Sequence, residues 1–393
     1  MQRNFRLLYA DIFWFGVLSG STIAFITIYI ARLGGNALEI GLLTAGPALV
    51  NLLFSLPVGV WLAGRSLIPV SFWSALLSRL AYLALIPLPL LFEGAGQIRL
   101  IILLTLLMSV PGTILAIGFN AMFAEVVPAR FRAEVVGRRN AILAVSLTIS
   151  TLVCGQLLDR IIFPLNYQVV FGMGASGALL STVNIGRLRA SSGPAEKQRA
   201  SYGTRLKDLL RFNLLGSHFG LFLIAYLSFY AFQYFCIPIF PLAYVNELNL
   251  SDGMISLGGG LFYSAMFLVS LRLKSLSVRI GHHYLLAFSA VGLALYPFLL
   301  GLARGPLLYW VASGLGGLTY GLVSASLLNR LMERVPEQAR AAGMSYHNLV
   351  LSLGILIGSL AGAWAGEFME VQPALLLGAG LRLLAGLLLI FWG

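Results

Sequence analysis

The sequence is dominated by apolar stretches, each long enough to cross a membrane. Hydrophobic residues occupy 59% of its 393 positions and charged residues only 10%, whereas soluble domains carry about 25% charged residues. A helix needs ~20 apolar residues to cross the ~30 Å hydrocarbon layer of a bilayer. We therefore predict an all-α polytopic membrane protein with twelve transmembrane helices. The predicted ranges are 7–31, 38–63, 67–91, 98–124, 134–158, 165–187, 216–245, 252–273, 282–303, 306–331, 341–366 and 373–392.

The basic residues predict how these helices are oriented. Of the 26 Lys and Arg residues, twenty, Arg139 included, lie in predicted ends and loops on one side of the membrane. The four on the other side are Arg32, Arg99, Arg160 and Arg304, and the two inside predicted helices are Arg79 and Arg382. Short loops rich in Lys and Arg stay in the cytoplasm. We therefore expect cytoplasmic termini, and the short loops suit a plasma membrane, specifically a bacterial inner membrane.

The remaining composition narrows the possible partners. A net charge of +12 that is spread over loops between apolar helices favours the lipid bilayer as partner and disfavours nucleic acid. Cys154 and Cys236 lie in different predicted helices and lack metal-site spacing. No nucleotide-binding P-loop motif occurs in the sequence. We therefore expect neither a metal nor a cofactor.

Short motifs recur in the two halves of the chain at nearly constant offsets. Asn36–Glu39 before the second predicted helix corresponds to Asn249–Asp252 before the eighth, and both resemble helix caps with an acid three residues on. The pairs that lie 208 positions apart are Glu125 and Glu333, Pro128 and Pro336, Arg132 and Arg340, and Asn140 and Asn348. We therefore predict a six-helix bundle at 1–187, a cytoplasmic linker at 188–213 and a second bundle at 214–393, which are the parallel repeats of one transporter architecture.

The loops after the second and eighth predicted helices carry related motifs. Members of the major facilitator superfamily have Gly-x-Leu-Ala-Asp-Arg-x-Gly-Arg-Arg in the first of these loops, and this chain resembles that superfamily along essentially its whole length. The matching segments are 59–65 and 276–283, in which Arg65, Arg279 and Gly281 are the candidate gate residues. Gly64 and Val278 stand where the motif has aspartate. The resemblance therefore implies a cytoplasmic gate that is weaker or built differently.

The resemblance also implies that the first, fourth, seventh and tenth helices line a central pathway. Polar residues recur on one face of these helices, and Pro111-Gly112 and Gly314 to Gly317 interrupt the fourth and tenth at corresponding depth. Such matched interruptions point to a transporter binding site. The substrate-binding candidates are Ser109, Thr113, Asn120, Tyr226, Tyr230, Gln233, Ser313, Tyr320 and Ser324.

Asp11 is the one acid that we place inside a predicted helix beyond its first two residues. A carboxylate at depth costs on the order of 3 kcal/mol on insertion scales, so Asp11 is the proton-coupling candidate. The alternative is a local ion pair with Arg3 or Arg6 near the interface. For Arg79 and Arg382 we favour structural pairing over substrate binding.

A glycine pattern in the eleventh predicted helix concerns packing. Gly354, Gly358, Gly362 and Gly366 repeat at every fourth position of the eleventh predicted helix, a spacing that lets helices approach closely. Static packing and sliding of one half on the other both remain open.

We expect a secondary active transporter that moves a small, apolar or weakly polar solute by alternating access. The specific form that we consider is a proton-coupled exporter. One alternative is a non-transporting member of the same fold that acts as a receptor or membrane chaperone. The other is a membrane-embedded enzyme, which is disfavoured because the sequence has no HExxH or GxSxG motif and no pair of intramembrane acids.

Overall fold

The computed structural model describes residues 2–189, 218–335 and 340–393. These residues form twelve long helices, numbered α1 to α12 here, that are apolar enough to cross a membrane. Their bounds are Gln2–Arg32, Ala37–Leu62, Leu67–Ala84, Ala95–Val126, Ala129–Arg160, Leu165–Gly186, Phe219–Glu247, Asp252–Ile280, His282–Leu302, Pro306–Arg334, Arg340–Phe368 and Val371–Trp392. The predicted all-α, multi-pass membrane fold is confirmed, whereas the predicted linker at 188–213 lies almost entirely outside the described residues.

The helix bounds differ from the predicted ones where a helix continues into polar sequence or stops at a proline. α5 begins at Ala129, directly after Pro128, and not at 134. Arg139, which was predicted at the cytoplasmic end of the fifth helix, therefore lies about three turns from the start of α5. α3 ends at Ala84, and a one-turn helix at Leu88–Leu91 follows after Pro87. α8 continues to Ile280 and ends at Gly281, whose φ of +83° suits glycine.

The two predicted helix caps have different outcomes. The cap of α2 is confirmed: Asn36 accepts from the backbone N–H of Glu39, and the Glu39 carboxylate accepts from the N–H of Asn36. At α8 the prediction of Asn249 is wrong, because Ser251 caps the helix and Asn249 has a φ of +46°. The acid of this motif, Asp252, makes an ion pair with Arg32 instead of closing a capping box.

The helices of the two halves pack in the same pattern. In the first half, α1 packs against α5 and α6, α2 against α4, and α3 against α4 and α6. In the second half, α7 packs against α11 and α12, α8 against α10, and α9 against α10 and α12. Each pair recurs six helices later, so the halves are related by an approximate two-fold arrangement. The main contacts between the halves, α2 with α11 and α5 with α8, obey the same relation.

The two ends of the bundle differ in how the halves meet. We call the end that holds Gln2 and Trp392 the terminal end, and the end that holds the loops at 33–36, 161–164 and 248–251 the distal end. At the distal end, one hydrophobic cluster contains residues of both halves, among them Tyr29 and Phe240. At the terminal end, each half has its own cluster. The halves are thus joined distally and packed separately at the terminal end.

The irregular helices are α1 and α7, which the two-fold relation exchanges. α1 contains a π-helical turn at Ser19–Ile23. α7 is broken after Phe235 and contains a second π-helical turn at Ala243–Glu247, as expected from Pro238 and Pro241. The predicted interruptions of α4 and α10 are wrong, since both helices are continuous.

Candidate functional site

A cavity of about 790 Å³ lies inside the first half and reaches the second. Helices α1 to α6 supply most of its wall, and α7 and α11 add Tyr234, Ser352 and Ile355. Its polar and charged lining residues are Asp11, Thr44, Asn51, Ser78, Arg79, Tyr82, Ser109, Thr113, Asn120, Arg139, Tyr234 and Ser352. Because these side chains come from many helices, any movement of the halves would change the shape of the site.

Asp11 lies on the cavity wall as part of a buried network. Its Oδ2 accepts from Nη2 of Arg139 in α5 at 3.2 Å, and its Oδ1 accepts from the Ser181 hydroxyl of α6 at 2.5 Å. Asp11 is only 3% exposed. The alternative prediction of an ion pair with Arg3 or Arg6 at the interface is wrong, because α1 begins at Gln2 and carries Asp11 inward to Arg139.

Arg79 extends from α3 toward α6 and also lines the cavity. Its Nη1 donates to Thr182 Oγ1 at 2.9 Å and to the Ala178 carbonyl at 3.3 Å. It also interacts electrostatically with Asp11. Arg79 therefore has the predicted structural pairing, but it contributes a positive charge to the cavity as well.

The three candidates in α4 all lie on the cavity wall. Thr113 is buried, Ser109 is half-buried and Asn120 is exposed. Ser109 donates its hydroxyl to the Thr105 carbonyl and Thr113 donates to the Ser109 carbonyl. Both hydroxyls thus bond to carbonyls four residues earlier in α4, and the helix continues through Pro111.

The candidates in α7 lie in the interior of the second half and outside the lining of this cavity. Tyr226 donates to the Leu327 carbonyl at 2.7 Å and packs on Phe222. Tyr230 is buried, and its ring meets the ring of His347 edge-on. Gln233 has a buried Oε1 without a hydrogen-bond donor among the described residues. Tyr234, one turn after Tyr230, is the α7 residue that reaches the cavity.

The candidates in α10 are also outside this cavity. Ser313 is buried, whereas Tyr320 and Ser324 are exposed. α10 turns its glycine face toward α8, so closely that a Cβ on Gly317 would lie 2.1 Å from the Phe262 carbonyl oxygen. The expectation that the tenth helix lines the pathway is therefore not met in this conformation.

Two cross-half contacts at the cavity involve residues that the sequence did not single out. Asn51 of α2 donates to the Ser352 hydroxyl of α11 at 2.9 Å. Thr44 donates to the Ser359 hydroxyl at 2.8 Å. The signal for them was polarity inside apolar helices, but α2 and α11 were not expected to line the pathway.

The candidate gate residues lie at the terminal end on the surface. Arg65 donates to the Trp61 carbonyl at 3.2 Å, and its guanidinium group lies 4.2 Å from the centre of the Trp61 ring. Arg279 is exposed in the last turn of α8, next to Gly281. Within residues 2–189, 218–335 and 340–393, neither arginine forms an ion pair with an acid.

The distal end is closed by polar contacts between the halves. Asp159 at the end of α5 accepts from the Ser251 hydroxyl at 2.9 Å and from the Gly253 N–H at 3.0 Å. Glu367 at the end of α11 accepts from the Leu38 N–H at 3.2 Å. Each acid thus caps the N-terminus of a helix in the other half, where free N–H groups and the helix dipole favour negative charge.

A further distal contact joins Arg32 of α1 to the second half. Its Nη2 lies 3.2 Å from Asp252 Oδ1, and Tyr167 donates its hydroxyl to Asp252 Oδ2 at 3.1 Å. Asp252 is therefore held by two residues of the first half.

The sequence and the fold were compared with known proteins. Residues 222–393, from α7 to the end of the chain, match the family model of the Major Facilitator Superfamily. No curated protein matches the sequence significantly.

Several solved transporters share the fold over the whole chain. The nucleoside transporter NupG aligns with a TM-score of 0.76 and 14% identity, covering 100% of this chain and 99% of that one. A POT family transporter in complex with 5-aminolevulinic acid gives 0.75 and 11%, covering 99% and 96%. A POT peptide transporter in complex with alafosfalin gives 0.70 and 17%, covering 98% and 93%. At sequence identities this low, the structural similarity shows a shared fold alone.

Proposed function

We propose that the chain is a secondary transporter of the major facilitator superfamily, whose family model matches residues 222–393, and that it carries a small polar solute by alternating access. The observation that supports this proposal is the cavity. It is lined by both halves, which share one hydrophobic cluster at the distal end and have separate clusters at the terminal end. Rocking of two repeats around a central site is the mechanism expected of this architecture.

The solute that we propose is more polar than the one expected from the sequence. The expectation of an apolar or weakly polar solute assumed a wall of hydroxyl, amide and aromatic groups. The wall also contains Asp11, Arg79 and Arg139, and charged groups in a membrane protein interior mark solute or ion pathways. NupG is a nucleoside transporter, and the POT structures contain 5-aminolevulinic acid or alafosfalin, so polar solutes of this size are the first to test.

We propose that Asp11 is the site of proton coupling. It is the acid of the cavity wall among the described residues, and Arg139, Arg79 and Ser181 surround it. Protonation of Asp11 would cancel its attraction to Arg139 and free this arginine. The charge on the wall would then change with the proton, which is how a proton could bias solute binding.

We propose that the terminal end is cytoplasmic and that the protein lies in the plasma membrane, as its basic loops suggest. In this orientation the cavity loads from the cytoplasm. Export of the solute against proton entry is therefore the proposed direction. An impermeant thiol reagent applied to intact cells should label a cysteine placed at Glu93 and spare one placed at Arg65; the reverse pattern would contradict the orientation.

The transport proposal is tested in proteoliposomes that contain a pH-sensitive dye and hold an imposed pH gradient. Nucleosides, small peptides and 5-aminolevulinic acid are added separately, and solute flux and proton flux are both recorded. We expect at least one solute to move together with protons. Asp11→Asn should abolish proton movement, whereas the exposed-loop variant Glu93→Gln should behave like the wild type.

Solute flux that ignores the pH gradient, or that stays proton-coupled in Asp11→Asn, would contradict the coupling role of Asp11. Absence of flux for every solute class would contradict the transport proposal for polar solutes.

A further inference from the structure

Arg79 is a buried cation whose hydrogen-bonding capacity is only partly used by the protein. It is 5% exposed, and only its Nη1 atom bonds to the protein, through Thr182 and the Ala178 carbonyl. Its Nε and Nη2 atoms have no acceptor among the described residues. They are also not among the fully buried unpaired atoms, so they keep some accessible surface. Since Arg79 lines the cavity, these donors are available to a solute.

The charges on the cavity wall do not balance. Among the lining residues that the structure describes, Asp11 is the acid and Arg79 and Arg139 are the basic residues. Asp11 is engaged by Arg139 and Ser181. One positive charge, that of Arg79, is therefore in excess. An unneutralised charge in apolar surroundings is unfavourable, and a bound anion would neutralise it.

Arg382 in the second half shows a buried arginine with a purely structural environment. Its two terminal nitrogens both donate to carbonyl groups, those of Leu293 at 3.3 Å and Gln233 at 2.8 Å, and it packs on the Phe240 ring. Arg382 is 3% exposed and is not part of the cavity wall. Among the described residues Arg382 leaves only its fully buried Nε without an acceptor, whereas Arg79 leaves both Nε and Nη2 without one and lies on the cavity wall.

We propose that Arg79 binds the carboxylate of an organic monoanion, so that the transported solute is a small carboxylic acid; this inference rests on the proposed transport function. A guanidinium group presents paired donors that match the two oxygens of a carboxylate. A phosphate dianion would call for a second free cation, but Arg139 is held by Asp11. The rings of Phe15, Tyr82 and Phe119 on the same wall would pack against the apolar body of the solute.

The test uses four probes that share a phenyl ring and differ in charge: benzoate, benzamide, benzamidinium and phenylphosphonate. Their dissociation constants for the purified full-length protein are measured by titration at neutral pH and constant ionic strength. A charge-assisted hydrogen bond discriminates by roughly tenfold or more. We expect benzoate to bind about tenfold more tightly than benzamide, and the cation and the phosphonate to bind more weakly still.

Three variants assign the preference to Arg79. Arg79→Gln should bind benzoate and benzamide equally. Arg79→Lys, which keeps the charge, should retain the preference for benzoate with weaker binding, and it decides the matter if Arg79→Gln does not fold. Arg382→Gln is the matched control and should keep the full preference.

Failure of benzoate to bind, equal binding of benzoate and benzamide in the wild type, or tighter binding of the phosphonate would overturn the proposal. A benzoate preference that survives in Arg79→Gln, or that is lost in Arg382→Gln as well, would also overturn it. Binding is measured without a membrane gradient, so it is independent of flux. If solute flux in proteoliposomes persists while the charge preference fails, only this inference falls and the transport proposal stands.

Discussion

At the scale of single residues, the proposed function depends on a few charged side chains inside apolar helices. The Asp11 and Arg139 side chains are 4% and 10% exposed, and their closest atoms are 3.2 Å apart. A buried ion pair adds little net stability, but removal of one partner leaves an uncompensated charge and costs about 3–5 kcal/mol. Removal of either charge alone should therefore destabilise the protein more than removal of both.

This coupling leads to a prediction about stability. Arg139→Gln should lower the thermal unfolding temperature of the detergent-purified protein strongly, because Asp11 loses its partner. Adding Asp11→Asn should restore much of the loss, since the carboxylate that Arg139 would have neutralised is then absent. The control is Arg138→Gln. Arg138 pairs with Glu134 on the surface, where both side chains are more than half exposed, and such pairs contribute about 0–1 kcal/mol. Equal losses in the two single variants, or no restoration in the double variant, would contradict the buried-pair account.

The sequence predicted part of the site at this scale. Asp11 was identifiable because an acid in an apolar helix is expensive. Ser109, Thr113 and Asn120 were found because they share a helix face, and their binding role stays a prediction. Arg139 was assigned to the cytoplasmic end of the fifth helix, because the apolar run of α5 begins after it and the helical turns before that run are polar. The local sequence does not show that Arg139 pairs with Asp11, because this pairing depends on how α1 packs against α5.

At the scale of helices, the distal closure consists of two contacts related by the internal repeat. Asp159 and Glu367 are separated by 208 positions, the same offset that relates Glu125 to Glu333. Each caps the first turn of a helix in the opposite half. Loss of a capping side chain typically costs about 0.5–2 kcal/mol, and here this energy favours the distally closed state over any state in which the halves separate.

We predict that Asp159→Asn combined with Glu367→Gln shifts the protein toward distally open states. The amides can still accept a hydrogen bond, but they remove a negative charge that is worth about 0.3–1 kcal/mol at each helix N-terminus. A combined change near 1.4 kcal/mol alters a two-state ratio by about tenfold. Spin labels at Glu93 and Arg304, exposed loop positions of the first and second halves, report the distal distance by pulsed electron resonance. The variant should gain a longer distance population, whereas Glu247→Gln, an exposed acid near the same end, should not. An unchanged distribution in the double variant would remove these caps from the closure.

The glycines of α11 illustrate close helix packing. A Cβ on Gly358 would lie 2.1 Å from the Ala231 carbonyl oxygen of α7, and one on Gly362 would lie 1.8 Å from that of Phe235. Gly354 likewise faces Tyr230, whereas Gly366 faces Ala37 of the other half. Three of the four glycines thus pack inside one half, which favours static packing over sliding for most of the stripe.

We predict opposite effects for two Gly-to-Ala changes. Gly358→Ala should lower the thermal stability, since overpacking costs about 1–3 kcal/mol. Gly380→Ala should leave stability unchanged or raise it slightly, because Gly380 is helical and exposed with nothing within 4 Å of its added Cβ. Thermal unfolding of both variants in the same detergent checks this. A neutral Gly358→Ala would mean that α7 and α11 are not packed this closely.

The helices themselves were largely predictable, because length and apolarity determine which segments can cross a bilayer. The errors lie at polar ends, as in α5, and at the tenth helix, where glycine was taken as a break. Gly317 instead allows α10 to contact the backbone of α8. Sequence patterns locate a helix but do not say which helix its small face will meet.

At the scale of the whole molecule, the two-fold relation is visible in helix packing but is broken at the cavity. The cavity belongs mainly to the first half, while the corresponding interior of the second half is filled by aromatic residues such as Phe222, Tyr226 and Tyr230. The helix positions follow the repeat, but the volumes of the side chains decide in which half a cavity forms. The sequence therefore predicted the architecture, whereas the asymmetry of the site required the packing of many side chains at once.

Alternating access requires the two halves to alternate between distally closed and terminally closed states. The most direct test measures two distances in the same preparation in liposomes, one between spin labels at Glu93 and Arg304 and one between labels at Arg65 and Arg279. Without solute we predict a short distal and a long terminal distance. Under conditions that favour the other state, by acidic pH or by the distal cap variants, the distal distance should lengthen while the terminal distance shortens. Two distances that stay fixed, or that lengthen together, would contradict alternating access.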